Sequence, residues 1–257
     1  MEEWLFEWCT CEYIQATTYL SKRGNILLIS NFDVVLNNKS EENNKNLKTL
    51  FTTLIEKELT QNIFFMKKKI KTAIDLPNNI FSLLNLFIPD IESPSFLSES
   101  DYKMKTSLAK VSLLDLRAKK SLSCNDKNDL DILIFGGILG DHPPRDRTRP
   151  LRDFFGDNMR HLGSMQMSTD TAIFTSQIIL NDKLELSQIP FIDAPEVVSP
   201  EDEDHSIDLE GFRYISKQFD LDLGTLRKKK DNEVHMHPKI RNELLFEEFD
   251  FGNMDLI

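Results

Sequence analysis

Apolar residues recur along the chain in more than one spacing. Leu47, Leu50, Phe51, Leu54 and Ile55 fall at i, i+3, i+4, i+7 and i+8, the spacing of one helix face. Glu2 to Leu20 also reads as helix, with Trp4, Trp8, Tyr19 and Leu20 available for packing. Elsewhere the apolar residues run together. Asn25–Ser30 predicts a short buried strand after a turn at Gly24. Val111–Asp115 and Asp131–Phe135 are apolar runs bounded by polar residues or glycine, the signature of strands covered on both faces in a parallel sheet with helical crossovers. Ser168 or Thr169 predicts the N-cap of a helix carrying Ala172, Ile173, Ser176, Ile179 and Leu180, and Phe191–Asp193 predicts a further strand. Residues 37–46 are polar and of low complexity and read as a loop, within an insertion-bearing stretch at 37–110. After Tyr214 the text becomes charged. The expected organisation is an α/β domain over 1–215 followed by an acidic tail over 216–257, docked through Phe246, Phe249 and Phe251.

Composition narrows the class. A chain of 257 residues with 40% hydrophobic content and 18 Phe can build a core. No apolar run approaches the roughly 18 residues that span a bilayer, and the acidic start, MEEWLFEW, does not fit a signal peptide. Three cysteines, Cys9, Cys11 and Cys124, fit a reducing compartment, so a cytoplasmic protein is expected. The net charge of −11 is localised: Glu196, Glu201, Asp202, Glu203, Asp204, Asp208 and Glu210 form one acidic run, and Glu243, Glu247, Glu248, Asp250 and Asp255 another. Those acids outnumber the whole net charge, and such surfaces repel nucleic acid and attract basic partners; the other reading is of solvating, partly disordered segments.

Candidate chemistry concentrates after the second middle strand. Phe135 leads into Gly136, Gly137, Ile138, Leu139, Gly140, Asp141 and His142, and Pro143-Pro144 then precedes Arg145, Asp146 and Arg147. Glycines permit positive φ and close backbone approach, and the end of a parallel strand is where open α/β sheets bind ligands. Neither GxxxxGK[ST] nor GxGxxG fits the spacing, which points to a mononucleotide-like ligand without a polyphosphate. A second segment, His161 to Ala172, runs from a loop into a helix start, where free backbone N–H groups and the polarizable Met165 and Met167 suit a ligand. His235 and His237 lack a third ligand, and Cys9 with Cys11 reads as packing, so no metal site is expected.

The two segments GGILGDHPPRDRT and RHLGSMQMSTDTA resemble the eukaryotic SPOUT-class (alpha/beta-knot) protein-arginine methyltransferases, the family of the yeast enzyme that modifies the third protein of the small ribosomal subunit. MEEWLFEWCTCEY, VSLLDLRA at 111–118 and PFIDAPE at 190–196 extend the resemblance over most of 1–36 and 111–215. It implies a SPOUT-type fold with a deep C-terminal trefoil knot and S-adenosylmethionine held by three loops at the carboxyl ends of strands. Carried over, the first loop is Leu114, Asp115, Leu116 and Arg117, and the second is Phe135 to Gly140 with His142. The third is Leu162, Gly163, Met165, Gln166, Met167, Ser168, Thr169, Thr171 and Ala172. This chain starts at the M-E-E motif, where the family has a preceding strand, and Leu116 stands where relatives often carry proline.

The expected activity is methyl transfer to an arginine of a small-subunit ribosomal protein by a monomeric enzyme. A guanidinium, with a pKa of roughly 12.5–13.8, needs carboxylates to orient it and accept its proton. Asp141 and Asp146 are the expected pair, with help from Glu3, Glu7 or Glu12. Glu3 and Glu7 stand four apart and share a helix face if that stretch is helical. The alternatives are an RNA methyltransferase of the same fold and a cofactor-binding module without turnover. Against RNA, the basic cluster of Arg145, Arg147, Arg149, Arg152 and Arg160 is interleaved with acids.

Overall fold

The computed structural model describes residues 7–29, 40–59, 62–65, 110–136, 148–228 and 233–246. The chain divides into two units, residues 1–108 and residues 109–257.

In the first unit, helix α1 (Glu7–Ser21) buries Cys9, Cys11, Tyr13, Ile14, Ala16, Tyr19 and Leu20 and packs on helix α2 (Glu41–Glu56). The Thr17 and Thr18 hydroxyls donate back to the carbonyls of Tyr13 and Ile14, so these polar residues sit inside the helix without orphaned groups. Gly24, at φ +67°, makes the turn that ends α1 and leads to strand β1 (Leu27–Ile29). β1 pairs in parallel with β2 (Ile63–Phe65) and is half-buried rather than buried as its apolar run predicts.

The loop expected at 37–46 is corrected by α2, which begins at Glu41; residues 37–39 lie outside the described residues. Ser40 accepts the Asn43 N–H, and Glu41 and Glu42 stand in the first turn, where the helix dipole favours acids. The buried face is Asn43, Asn46, Leu50, Phe51 and Leu54; Ile55, expected on that face, is exposed.

The second unit holds the elements of the predicted site. β3 (Val111–Leu114) lies at the centre of a three-stranded, all-parallel sheet, between β4 (Ile132–Phe135) and β5 (Met159–Arg160). Val111, Ser112 and Leu113 are wholly buried, as a central parallel strand requires, whereas β4 is buried only at Ile134. Helix α3 (Arg149–Phe155) packs beside β3. A second sheet has the order β6 (Gln166–Met167), β10 (Phe212–Ile215), β7 (Phe191–Asp193), with β6 and β10 parallel. Helix α4 (Thr169–Gln177) starts after Ser168 as predicted and continues as a wider turn over Ile178–Asp182, burying Ile173, Phe174, Ile178 and Ile179.

Two sequence expectations change here. The acidic run is a hairpin of β8 (Glu196–Val198) and β9 (Ser206–Asp208), not an unstructured segment. The described residues beyond 215 are folded rather than a tail: β11 (Phe219–Asp220) pairs with β12 (Thr225–Leu226), and Phe219, Val234, Met236, Ile240, Leu244 and Leu245 are buried. The apolar residues lie among charges at irregular spacing, which hid them in the sequence. Phe246 docks edge-on against His205 of the acidic loop, while Phe249 and Phe251 lie outside the described residues.

Candidate functional site

The site is defined by register. Leu114, the last residue of β3, stands opposite Phe135 on one side and Arg160 on the other. The three parallel strands therefore end level, and the chain leaves each of them at one sheet edge. Residues 115–118 leave β3, the chain after Gly136 leaves β4, and residues 161–167 leave β5. The first and third of these run alongside each other. The Asp115 amide donates to the Arg160 carbonyl, the His161 amide to Lys120, and the Leu122 amide to His161.

Asp115 organises the first loop. Its carboxylate accepts the Arg117 amide (2.7 Å), the Thr148 hydroxyl and the Arg152 Nε (2.8 Å) while almost wholly buried. Burial by itself pushes its pKa up. The hydrogen bonds from Thr148, the Arg117 amide and Arg152, with the Arg152 charge, outweigh burial and hold the carboxyl below its usual range. The turn is thus held by a carboxylate. Leu116 is half-exposed and Arg117 exposed, so these two face outward while Asp115 faces inward.

Thr148 also explains Gly136. A Cβ on Gly136 would lie 2.1 Å from Thr148 Cγ2, so only glycine lets the chain leave β4 at this point. Gly137, Ile138, Leu139, Gly140, Asp141, His142 and Asp146 lie outside the described residues.

In the third loop, Leu162 is buried, and Gly163 adopts φ +89°, its amide donating to His161 Nδ1. Met165, Gln166 and Met167 are half-buried, and the Met167 sulfur accepts the Thr175 hydroxyl at 3.7 Å. Thr169 and Ala172 are half-buried, and Ser168 and Thr171 are buried. The expectation of free N–H groups at the start of α4 is corrected at two positions. The Thr171 amide donates to Asp170 Oδ1, and the Ala172 amide makes the first helical bond to Ser168.

Three residues that sequence reasoning passed over border this loop. Asp170 is fully enclosed, and burial pushes its pKa up to about 6 against the bonds from Ser168 and Thr171. Arg213, opposite Met167 in the β6–β10 register, makes a two-pronged ion pair with Asp193 and lies 4.9 Å over the Phe191 ring. An isolated aspartate inside a helix-start motif, and an Arg–Asp pair 20 positions apart, carry no sequence signal.

The edge suits a ligand of particular chemistry. It combines backbone amides and carbonyls, a left-handed glycine, half-buried methionines and the half-exposed Leu116. Two arginines near it are committed to internal carboxylates, Arg152 to Asp115 and Arg160 to Asp126. That set fits a partly apolar ligand better than a polyphosphate.

Among the expected N-terminal acids, Glu7 is half-buried at the start of α1 in the first unit, and Glu3 lies outside the described residues. Glu12 is almost wholly buried and accepts the Trp8 indole N–H at 2.9 Å, which removes it from the solvent-facing acids. His235 Nε2 donates to the Phe219 carbonyl, and His237 Nδ1 accepts the Lys239 amide. Among the described residues no group of three or more His, Cys, Asp or Glu is placed to hold a metal ion, and no helix is long and apolar enough to cross a membrane.

A parallel α/β sheet whose strands end level at one carboxyl edge defines the class of protein. Within that class, the chain belongs to the SFM1-like protein arginine N-methyltransferase family, whose model matches residues 1–225. It is 49% identical over 89 residues to protein arginine N-methyltransferase SFM1 of Saccharomyces cerevisiae; the aligned stretch is 34% of this chain and 42% of that relative's length. The fold is similar to the crystal structure of yeast SFM1 complexed with SAM (TM-score 0.56, 29% identity, 84% of this chain and 80% of the other). It is similar too to the SAH complex (TM-score 0.58, 29% identity, 88% and 92%).

Proposed function

We propose that this protein is an S-adenosylmethionine-dependent protein-arginine N-methyltransferase acting on a small-subunit ribosomal protein. The observation that carries the reading is the level ending of β3, β4 and β5, so that the chain leaves at one edge the three strands that precede the segments which the resemblance assigns to the cofactor. The yeast relative solved with SAM has a similar fold, which supports the same ligand at this edge. In this reading the C-terminal part of the domain forms the SPOUT-type trefoil knot, and the enzyme is a cytoplasmic monomer.

Bound there, S-adenosylmethionine supplies a sulfonium methyl group. The first loop, braced by Asp115, and the third loop, shaped by Gly163 and the β6–β10 pairing, orient the cofactor. In this reading Asp141 and Asp146 align the substrate guanidinium and accept the proton that leaves nitrogen as the new N–C bond forms and the methyl–sulfur bond breaks, releasing a thioether. The exposed acids of the β8–β9 hairpin attract the basic substrate. An RNA substrate is less well supported, because Arg152 and Arg160 already serve internal carboxylates.

The test is incubation of the purified chain with methyl-labelled S-adenosylmethionine and dissociated small-subunit proteins, followed by mass spectrometry. One protein is expected to gain label on arginine. Asp141→Ala is expected to abolish transfer at unchanged cofactor affinity. Binding without transfer would leave a cofactor-binding module, and label in RNA would move the assignment to the other substrate class.

A further inference from the structure

Asp170 lies behind the third loop and takes no part in the mechanism above. Its carboxylate is 2% exposed and forms no salt bridge among the described residues. Oδ1 accepts the Ser168 hydroxyl at 2.6 Å and the Thr171 amide at 2.7 Å, and the Ser168 and Thr171 hydroxyl oxygens are 2.8 Å apart.

Helix capping alone does not call for this arrangement. A serine at the N-cap ordinarily accepts the amide of the second or third helical residue through its own oxygen. Ser168 occupies the N-cap position of α4 with extended backbone (φ −61°, ψ 161°), yet makes no such bond. Its hydroxyl donates to Asp170, and the third-position amide of Thr171 goes to Asp170 as well. Ser168 is equipped to cap the helix without a buried charge, so the carboxylate adds something else. It fixes the direction of the Ser168 side chain and hence the exit of the chain from β6.

That exit needs fixing. The entry to the third loop is held by His161, which bonds Lys120 and Leu122 through its backbone and the Gly163 amide through its ring. Among the described residues the far end has a two-residue pairing, Gln166 with Phe212 and Met167 with Arg213, and the Thr175 hydroxyl on the Met167 sulfur before the chain turns into α4.

We propose that Asp170 is a positioning residue for the third loop: by accepting from both Ser168 and Thr171 it holds the Leu162–Met167 backbone in the shape that receives the cofactor. The inference rests on the cofactor site proposed above, and its test separates the two.

Asp170→Ala removes the acceptor, whereas Asp170→Asn keeps an Oδ1 that accepts both bonds without the charge. Three quantities are measured for each: amide hydrogen exchange over 162–168 in cofactor-free protein, S-adenosylhomocysteine affinity by calorimetry, and KM against kcat. Asp170→Ala is expected to speed exchange over 162–168 about tenfold while leaving 111–118 unchanged. It is expected to raise Kd and KM about tenfold with kcat within about twofold. Asp170→Asn stays within about twofold of wild type in all three. Wild-type exchange in Asp170→Ala overturns the proposal, as does a loss of kcat at unchanged KM, or Asn behaving like Ala. If wild type itself fails to bind S-adenosylhomocysteine, the functional reading falls while exchange still decides the role of Asp170. If Asp170→Ala does not fold, Ser168→Ala replaces it and must accelerate exchange over the same segment.

Discussion

Asp115 and Asp170 each sit at the base of a loop at the sheet's carboxyl edge, and their surroundings drive them in opposite directions. Burial raises both, but Asp115 has a guanidinium, a hydroxyl and an amide to favour its charge. Among the described residues the donors to Asp170 are neutral, and burial prevails. The folded pKa of Asp170, about 6, exceeds the ordinary 3.8, so the folded state binds this proton more tightly than the unfolded chain. Its contribution to stability is therefore full below the unfolded value and is lost as pH rises towards 6, a difference on the order of 3 kcal/mol. Asp170→Asn is expected to be more stable than wild type above pH 6, with the margin closing as pH falls to about 4. Urea unfolding at several pH values measures this, and a margin independent of pH would contradict it. Asp115 was readable as a loop residue because it ends an apolar run. Its partners Thr148 and Arg152, 33 and 37 positions away, were not, since no spacing rule links a loop carboxylate to the next helix start.

The strands that carry the site declared themselves as short apolar runs: ILIF is apolar throughout, and the central VSLL is broken only by the buried Ser112. α2 was half legible. Its apolar face gave the later turns, but Asn43 and Asn46 are buried at the start, and a polar run containing them looked like loop. The informative letter there was Ser40, followed by two acids, a helix-start signature embedded in low-complexity text. The β8–β9 hairpin was missed for a similar reason: exposed acids surround its one buried strand residue, Val197. The crossing of Gly136 and Thr148 belongs to this scale, because it sets how closely the chain leaving β4 passes the start of α3. Gly136→Ala is expected to destabilise the protein by about 1–3 kcal/mol. Adding Thr148→Ser deletes the clashing methyl, keeps the hydroxyl for Asp115, and is expected to restore most of the loss. A thermal-unfolding double-mutant cycle reads the coupling directly, and strictly additive effects would refute the contact.

Charge acts across the whole molecule. Glu201, Asp202, Glu203 and Asp204 occupy the exposed loop of the β8–β9 hairpin, and no basic residue interrupts the run from 196 to 210. Changing these four to their amides is expected to raise KM for a basic protein substrate roughly three- to tenfold at low salt, with little effect on kcat. The difference should vanish by about 0.5 M salt, where the screening length falls below side-chain dimensions. Methyl-transfer rates at two ionic strengths check it, and an equal defect at both would mean that the hairpin does not act through charge.

The level carboxyl ends of β3, β4 and β5 also bear on how such a protein can change over generations. Strand register, chosen by the apolar side chains that the sheet buries and held by backbone bonds, supplies the alignment, and the loops merely inherit it. A substitution in one loop, such as one at the half-exposed Leu116, leaves the footing of its neighbours untouched. Binding preference can therefore drift one loop at a time over a frame that stays constant.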